Sequence, residues 1–538
     1  MKYLRISWIF ISICFSIFPR EYTNAQTQDR LSKDSLYSEF RYFINLLEET
    51  HPDPYSAFGG KVIFHKEVIS IEEQLKSKEY TMTQYLNTLS SFLAVLQDGH
   101  TCIKRNDNSK NVKYIPIQFY AISDGLIING IESPYKEYLG SKVISINETP
   151  VDTLAKKISI LYPSENIFGA YSSLQNIGNN TTKLNYLFPN LQNRIKLTVS
   201  SPENERKELF INVASGQKWN KDNLEVLPKS DIVQSGNYLF FQPIENSKTM
   251  YLKMGSVMAR ENFMFMHENE WNVKEQLEKF YERLLHKDMP ENIDEAIAAL
   301  PSFAGIFRNM LVEMKENGYK NLIIDLRNNG GGWTPITQPT LYMLYGDKFL
   351  DTDFNTSFLR LISPLYMQKV GMTLEEFNKN NKSDYRYGEY ILERDTSQES
   401  IEGKRQAFVE NAMGDAKKYI EDLNGIPLYT PDNVFVLTNT GTFSAAFHYA
   451  FYLWKMGAKI VGIPSSQAPN TFMEMTEFIL PYTKVKGSIS NSAQYFLPST
   501  DKRAKIFWPE MMPEYKDYKK YNFDQETELL WLLDRINN

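Results

Sequence analysis

The chain has 538 residues, 42% apolar and 23% charged, with a formal net charge of −6. That balance excludes disorder, collagen and coiled coil, and the acidic sign leaves no electrostatic footprint for nucleic acid. The length asks for two or three domains around separate cores.

Lys2 and Arg5 precede the apolar run "ISWIFISICFSIF", and Thr23 and Ala25 flank a cleavage point before Gln26. This is the pattern of a secretory signal over residues 1–25. The run falls short of the roughly 20 apolar residues that span a bilayer, and no later segment is long and apolar enough, so no integral membrane segment is expected after signal removal. Removal also takes Cys14, leaving Cys102 as the only cysteine. No intrachain disulfide or cysteine metal cluster is then expected.

Residues 26–105 are expected to form a helical amino-terminal domain. Leu36, Phe40, Phe43, Ile44 and Leu47 recur at helical spacing, and Pro52 and Pro54 stop the helix. A second helical stretch ends in "LQDGHT". Residues 106–232 change to short β-rich runs such as "KYIPIQFYAI", "GLIINGI" and "KVISIN", separated by turn residues. Residues 233–538 read as an α/β core. In it, Phe303, Ile306, Phe307, Met310, Leu311 and Met314 share one helical face, Gly318 is the C-cap, and the strand 321–326 follows. "NVFVLT" (433–438) and "AKIVGI" (458–463) are further apolar strands around a helix, the alternation of a parallel sheet. Residues 262–300 and 350–425 are insertions with no functional reading of their own.

Three places carry chemistry. "NLIIDLRNNGGG" (321–332) ends a buried strand in three glycines. These serve either as bare backbone donors for a developing oxyanion or as a plain loop; they match neither common nucleotide fingerprint. Ser444 follows a strand and a tight turn at the start of a helix. There it is either a nucleophile beside free N–H groups or, like Thr442, a simple N-cap. His100, released from a helix by Gly99 with Asp98 and Thr101 beside it, is either a base or a structural turn residue. His448 is expected to pack in the core and His51 to brace the first helix. No metal-ligand pattern stands out, and no cofactor is expected. A carboxylate pair for sugar hydrolysis has no local signature and stays open; 14% aromatic content and export are its only support.

Taken in order, "HPDPY", "LQDGHT", "GSKVISIN", "YLKMGSV", "LIIDLRNNGGG", "VFVLTNTGTFSAA" and "AKIVGI" resemble the C-terminal processing, or tail-specific, serine peptidase family, closest to its tricorn-core and retinoid-binding-protein-like branch. The resemblance implies a crotonase/Clp-protease-like catalytic core, with a PDZ-like module over residues 106–232. It implies Ser444 as nucleophile and the N–H groups of Gly331 (or a neighbouring glycine) and Ala445 as oxyanion hole, with Asp325 and Arg327 as scaffold. Many members pair the serine with a lysine one strand later, where this chain has Pro469 and Asn470. The branch instead takes a histidine from before the β module, which implies His100. A late acidic residue orients the site; Asp501 is preferred over Glu510. The implied activity is cleavage of peptides or unfolded proteins in the periplasm, cell envelope or outside a bacterium. The alternative is an inactive peptide- or ligand-binding protein of the same fold.

Overall fold

The computed structural model describes residues 31–105, 113–216, 221–234, 236–393 and 399–537. The expected signal segment lies outside the described residues. No helix among them is long and apolar enough to cross a membrane.

The central sheet has five strands in the order Leu239–Ile244, Thr249–Met254, Asn321–Asp325, Asn433–Thr438 and Lys459–Gly462. The first pair is antiparallel and the other three pairings are parallel. Parallel strands need helical crossovers that cover both faces, which is why "NLIID" is buried at every position. The helix Phe303–Asn317 carries the expected face: Phe303, Phe307, Met310, Leu311 and Met314 are buried, and Gly318 caps it at φ +64°. The helix Ala445–Lys455 crosses between the last two strands. The fold class is thus α/β, as the alternation predicts.

Two other layers flank this core. The helices Lys33–Thr50, Lys61–Ser77 and Met82–Ala94 bury Phe40, Phe43, Phe64, Tyr85 and Leu89 against one another. A seven-stranded sheet lies within residues 117–226 and packs its own apolar cluster.

One element was invisible to sequence periodicity. Asn470–Ile479 and Lys486–Tyr495 form a long antiparallel hairpin in a second five-stranded sheet. Its strand "KGSISNSAQY" is polar yet almost wholly buried, so neither apolar content nor alternation announces it. The short strand Cys102–Ile103 pairs with it, Cys102 opposite Ser488. This pairing carries the end of the helical domain to the carboxyl ends of the central strands.

Candidate active site

The strands Asn321–Asp325 and Asn433–Thr438 run side by side, so the loops leaving their carboxyl ends meet. That edge is where open α/β sheets hold ligands. Side chains join the two loops. Asn439 Oδ1 accepts from the N–H of Asn328 (2.9 Å), and Asn328 Oδ1 accepts from Asn439 Nδ2 (2.9 Å). Thr442 Oγ1 donates to the Leu326 carbonyl (2.9 Å), and Phe443 N–H donates to that of Asn329 (3.0 Å).

The glycines are required by closeness. Gly331 sits at φ +105°, and a Cβ on it would lie 2.7 Å from Ser444 Cβ and 2.8 Å from the Phe443 carbonyl oxygen. A Cβ on Gly332, at φ +150°, would lie 2.1 Å from the Val257 carbonyl oxygen. Bare backbone therefore packs directly against the Ser444 turn.

Ser444 adopts φ +54°, ψ −126°, a conformation that costs a non-glycine residue of order 1–3 kcal/mol. It stands at the N-cap position, yet its side chain makes no capping hydrogen bond. The capping reading therefore does not describe this serine. Thr442 does not cap this helix either: its hydroxyl bonds the Leu326 carbonyl and accepts from Asn439 N–H. Ser444 N–H donates to Gln467 Oε1. The next amide, that of Ala445, opens the helix and has no hydrogen-bond partner among the described residues. Gly331 N–H donates to Asn329 Oδ1 (3.0 Å), so it is occupied as the loop stands. The N–H of Gly332 has no such partner among the described residues.

His100 reaches this place through the hairpin. Ser488 Oγ donates to the His100 carbonyl (2.9 Å), and Ser490 N–H donates to Thr101 Oγ1 (2.9 Å). The imidazole stacks on Phe443, the residue before Ser444, at 4.9 Å between centroids and 27° between planes. Burial lowers the His100 pKa, keeping the ring neutral and able to accept a proton.

Asp98 fixes the histidine turn. Its Oδ1 accepts from His100 N–H (2.8 Å), and its Oδ2 accepts from Thr101 Oγ1 (2.5 Å) and lies 3.3 Å from His51 Nε2. His51 Nδ1 accepts from Asp53 N–H (3.1 Å), which places the His51 proton on Nε2, facing Asp98. Burial would raise Asp98, but His51, His100 and Thr101 hold it down to about 2.

Glu165 was missed by sequence reading. It lies in "LYPSENIFG", which carries no catalytic pattern. It is buried at 5% exposure, and its Oε2 accepts from Ala468 N–H (2.7 Å). Its Oε1 lies 3.8 Å from His100 Nδ1. Burial first, and the Asp98 charge after it, push Glu165 up to about 8. Asp98, His100 and Glu165 each offer a ligand atom within 4.8 Å of the others. Asp98 also serves the His100 amide, Thr101 and His51.

Asp501 does not join the site. It pairs with Arg503 (Oδ2–Nη2 2.9 Å), and Arg503 lies over Trp454 at the far end of the helix that Ser444 begins. Glu510 is also remote, accepting from Trp454 Nε1 (2.6 Å) and Ile460 N–H (2.9 Å). The physical reason is length: the helix Ala445–Lys455 separates that end from Ser444 by about 1.5 Å per residue. His448 is a satisfied core residue. Its Nε2 lies 2.7 Å from Gln494 Oε1 and its Nδ1 2.9 Å from Thr334 Oγ1, and burial lowers it to about 4.

Comparison with known proteins agrees with this architecture. The family model Peptidase family S41 matches residues 296–352, which end at the helix after the glycine loop. Mature CPAF is similar in fold, at 15% identity, 94% of this chain, 98% of that chain and a TM-score of 0.55. Mature CPAF complexed with lactacystin aligns at 14% identity, 94% of this chain, 99% of that chain and 0.54. The photosystem II D1 C-terminal processing protease aligns at 12% identity, 90% of this chain, 94% of that chain and 0.38. A search of curated proteins finds no match.

Proposed function

We propose that this chain, with the fold of an S41 peptidase and that family's sequence match over residues 296–352, is a serine endopeptidase acting on peptides or unfolded proteins. The observation that carries the reading is the Ser444 turn. A serine in a strained backbone conformation, not used as a cap, is packed against bare glycine backbone beside the Ala445 amide, which has no partner among the described residues.

In this reading His100 takes the hydroxyl proton as Ser444 Oγ attacks the peptide carbonyl. The Ala445 amide holds the oxyanion, with Gly332 or, once it releases Asn329, Gly331 as the second donor. His100 then gives the proton to the leaving amine, and a water attacks the acyl-enzyme by the same route in reverse. The amino-terminal pattern of residues 1–25 supports export to a bacterial periplasm or envelope.

One observation favours the inactive alternative. Gly331 N–H is engaged by Asn329 and Ser444 N–H by Gln467, so two amides of the proposed oxyanion region are internally satisfied. The experiment that decides compares wild type with Ser444→Ala and His100→Ala on unfolded protein, following fragments by mass spectrometry. Cleavage by wild type alone, with a loss of about 10⁴-fold in each variant, supports the peptidase. No cleavage by three folded proteins turns the reading to ligand binding.

A further inference from the structure

His100 Nδ1 and Glu165 Oε1 are both buried, and neither has a hydrogen-bond partner among the described residues. They face each other at 3.8 Å. Two orphaned polar atoms so placed incur the desolvation cost of both groups without the bond that would offset it. Asp98 does not meet this need. Its Oδ1 is 4.0 Å from the same nitrogen and already accepts the His100 amide. The backbone keeps the approach to Glu165 open: a Cβ on Gly99 would lie 3.0 Å from Glu165 Oε1 and 3.1 Å from the Phe443 ring. The other end of the carboxylate is anchored, since Oε2 holds the Ala468 amide at 2.7 Å. That amide belongs to the loop that also supplies Gln467 to Ser444 N–H and Ser465 to the Thr442 carbonyl. Glu165 is thus tied to the same loop as the serine turn.

We propose that Glu165 is the positioning residue of the His100 base, standing where a late acidic residue was expected. The inference rests on the peptidase reading above. A swing of about 1 Å about the anchored Oε2 brings Oε1 to hydrogen-bond distance, the tightening expected when substrate closes a site. The ionised carboxylate then accepts Nδ1–H, which leaves the lone pair on Nε2 for the Ser444 proton. As Oγ bonds to the carbonyl carbon, that proton passes to Nε2, and the imidazolium pairs with Glu165. As the C–N bond breaks, the proton leaves with the amine.

When Glu165 carries its own proton the polarity reverses. The acid donates to Nδ1, the ring proton sits on Nε2, and His100 is no longer a base. Because burial places Glu165 near 8, cleavage should rise with pH up to about 8 and then level. The groups acting on the pair are Asp98 and, beyond it, His51 from the end of the first helix. Thr471 and the Gly99 amide on one side and the Phe472 backbone on the other favour the charged forms. His448 feels His100 from the Ser444 helix.

The test uses the full mature chain with EDTA throughout. A fluorophosphonate labels Ser444 between pH 5.5 and 10 in wild type, Glu165→Gln and Glu165→Ala. Nitrogen-15 spectra report the His100 tautomer in the same proteins. In Glu165→Gln the amide oxygen keeps Ala468 and the NH₂ meets Nδ1, so the variant imitates the protonated acid. Labelling should fall at least 100-fold at pH 9, the rising limb near pH 8 should vanish, and His100 should keep its proton on Nε2 at every pH. Melting curves separate misfolding from lost positioning, and the tautomer is read in whichever variant folds. An unmoved limb, or a tautomer indifferent to Glu165, overturns the proposal. A wild type that never labels defeats the peptidase reading instead, and the tautomer still decides the role of Glu165.

Discussion

The buried charge clusters around Arg327 and around His100 are built on opposite principles. Around Arg327 every bond is made. Its guanidinium meets Asp325 (2.8 and 3.0 Å), Glu528 (2.9 Å) and Glu526. Tyr251 and Lys253 complete Asp325, and Tyr120 and Tyr518 both donate to Glu528. Burial would raise Asp325, but Arg327 and Lys253 hold it far below the usual carboxylate range. Around His100 the opposite holds: among the described residues Nδ1 of the ring and Oε1 of Glu165 stand unpartnered. A saturated network rigidifies, whereas an unsaturated one keeps capacity to gain a bond when a substrate arrives. The most conspicuous motif, "DLR", thus belongs to the scaffold, and the least conspicuous residue, Glu165, belongs beside the site.

The contrast can be broken at either cluster. The largest effect is expected at the serine and histidine, where alanine removes about 10⁴-fold of cleavage with the melting temperature little changed. Next comes Arg327→Gln. It leaves two buried carboxylates, Asp325 and Glu528, and the part-buried Glu526 without the guanidinium, and we expect a loss of about 3–5 kcal/mol in urea unfolding. Smaller, and of opposite sign, is the stability of Glu165→Gln. A carboxyl raised from 4.5 to about 8 keeps its proton in the fold while the unfolded chain releases it. Stability is therefore full below pH 4.5 and declines as pH rises through 8. The variant lacks that decline, so it should gain on wild type by about 1–3 kcal/mol at pH 9 relative to pH 5, read by thermal melts. Equal differences at both pH values would contradict the assignment of Glu165 as a buried acid. The smallest effect is Asp501→Asn. Its half-buried surface pairing with Arg503 predicts little-changed melting and a cleavage rate within about two-fold of wild type. A large kinetic loss there would return Asp501 to the site.

Local chemistry made much of this legible from sequence. Apolar periodicity fixed the helix Phe303–Asn317 and its capping Gly318, and continuous apolar runs marked the strands at 321, 433 and 459. Three glycines at a strand end and a serine opening a helix marked two loops that the fold brings together, because the backbone demands them at those positions. The rest depended on partners far apart in the chain. Nothing in "SISNSAQ" signals a buried strand, since its polar side chains are covered by tertiary packing and not by their own pattern. That strand nevertheless holds the turn that sets His100 against Phe443, the residue before Ser444. Glu165 and Asp98 are ordinary carboxylates in sequence; only the fold removes their water, raising one toward 8 and letting His51 and Thr101 hold the other near 2. Sequence determined the apolar strands and the amphipathic helix beside them, because those are settled by neighbours along the chain. Tertiary structure decided which acid faces the histidine, because desolvation and distance belong to the folded molecule alone.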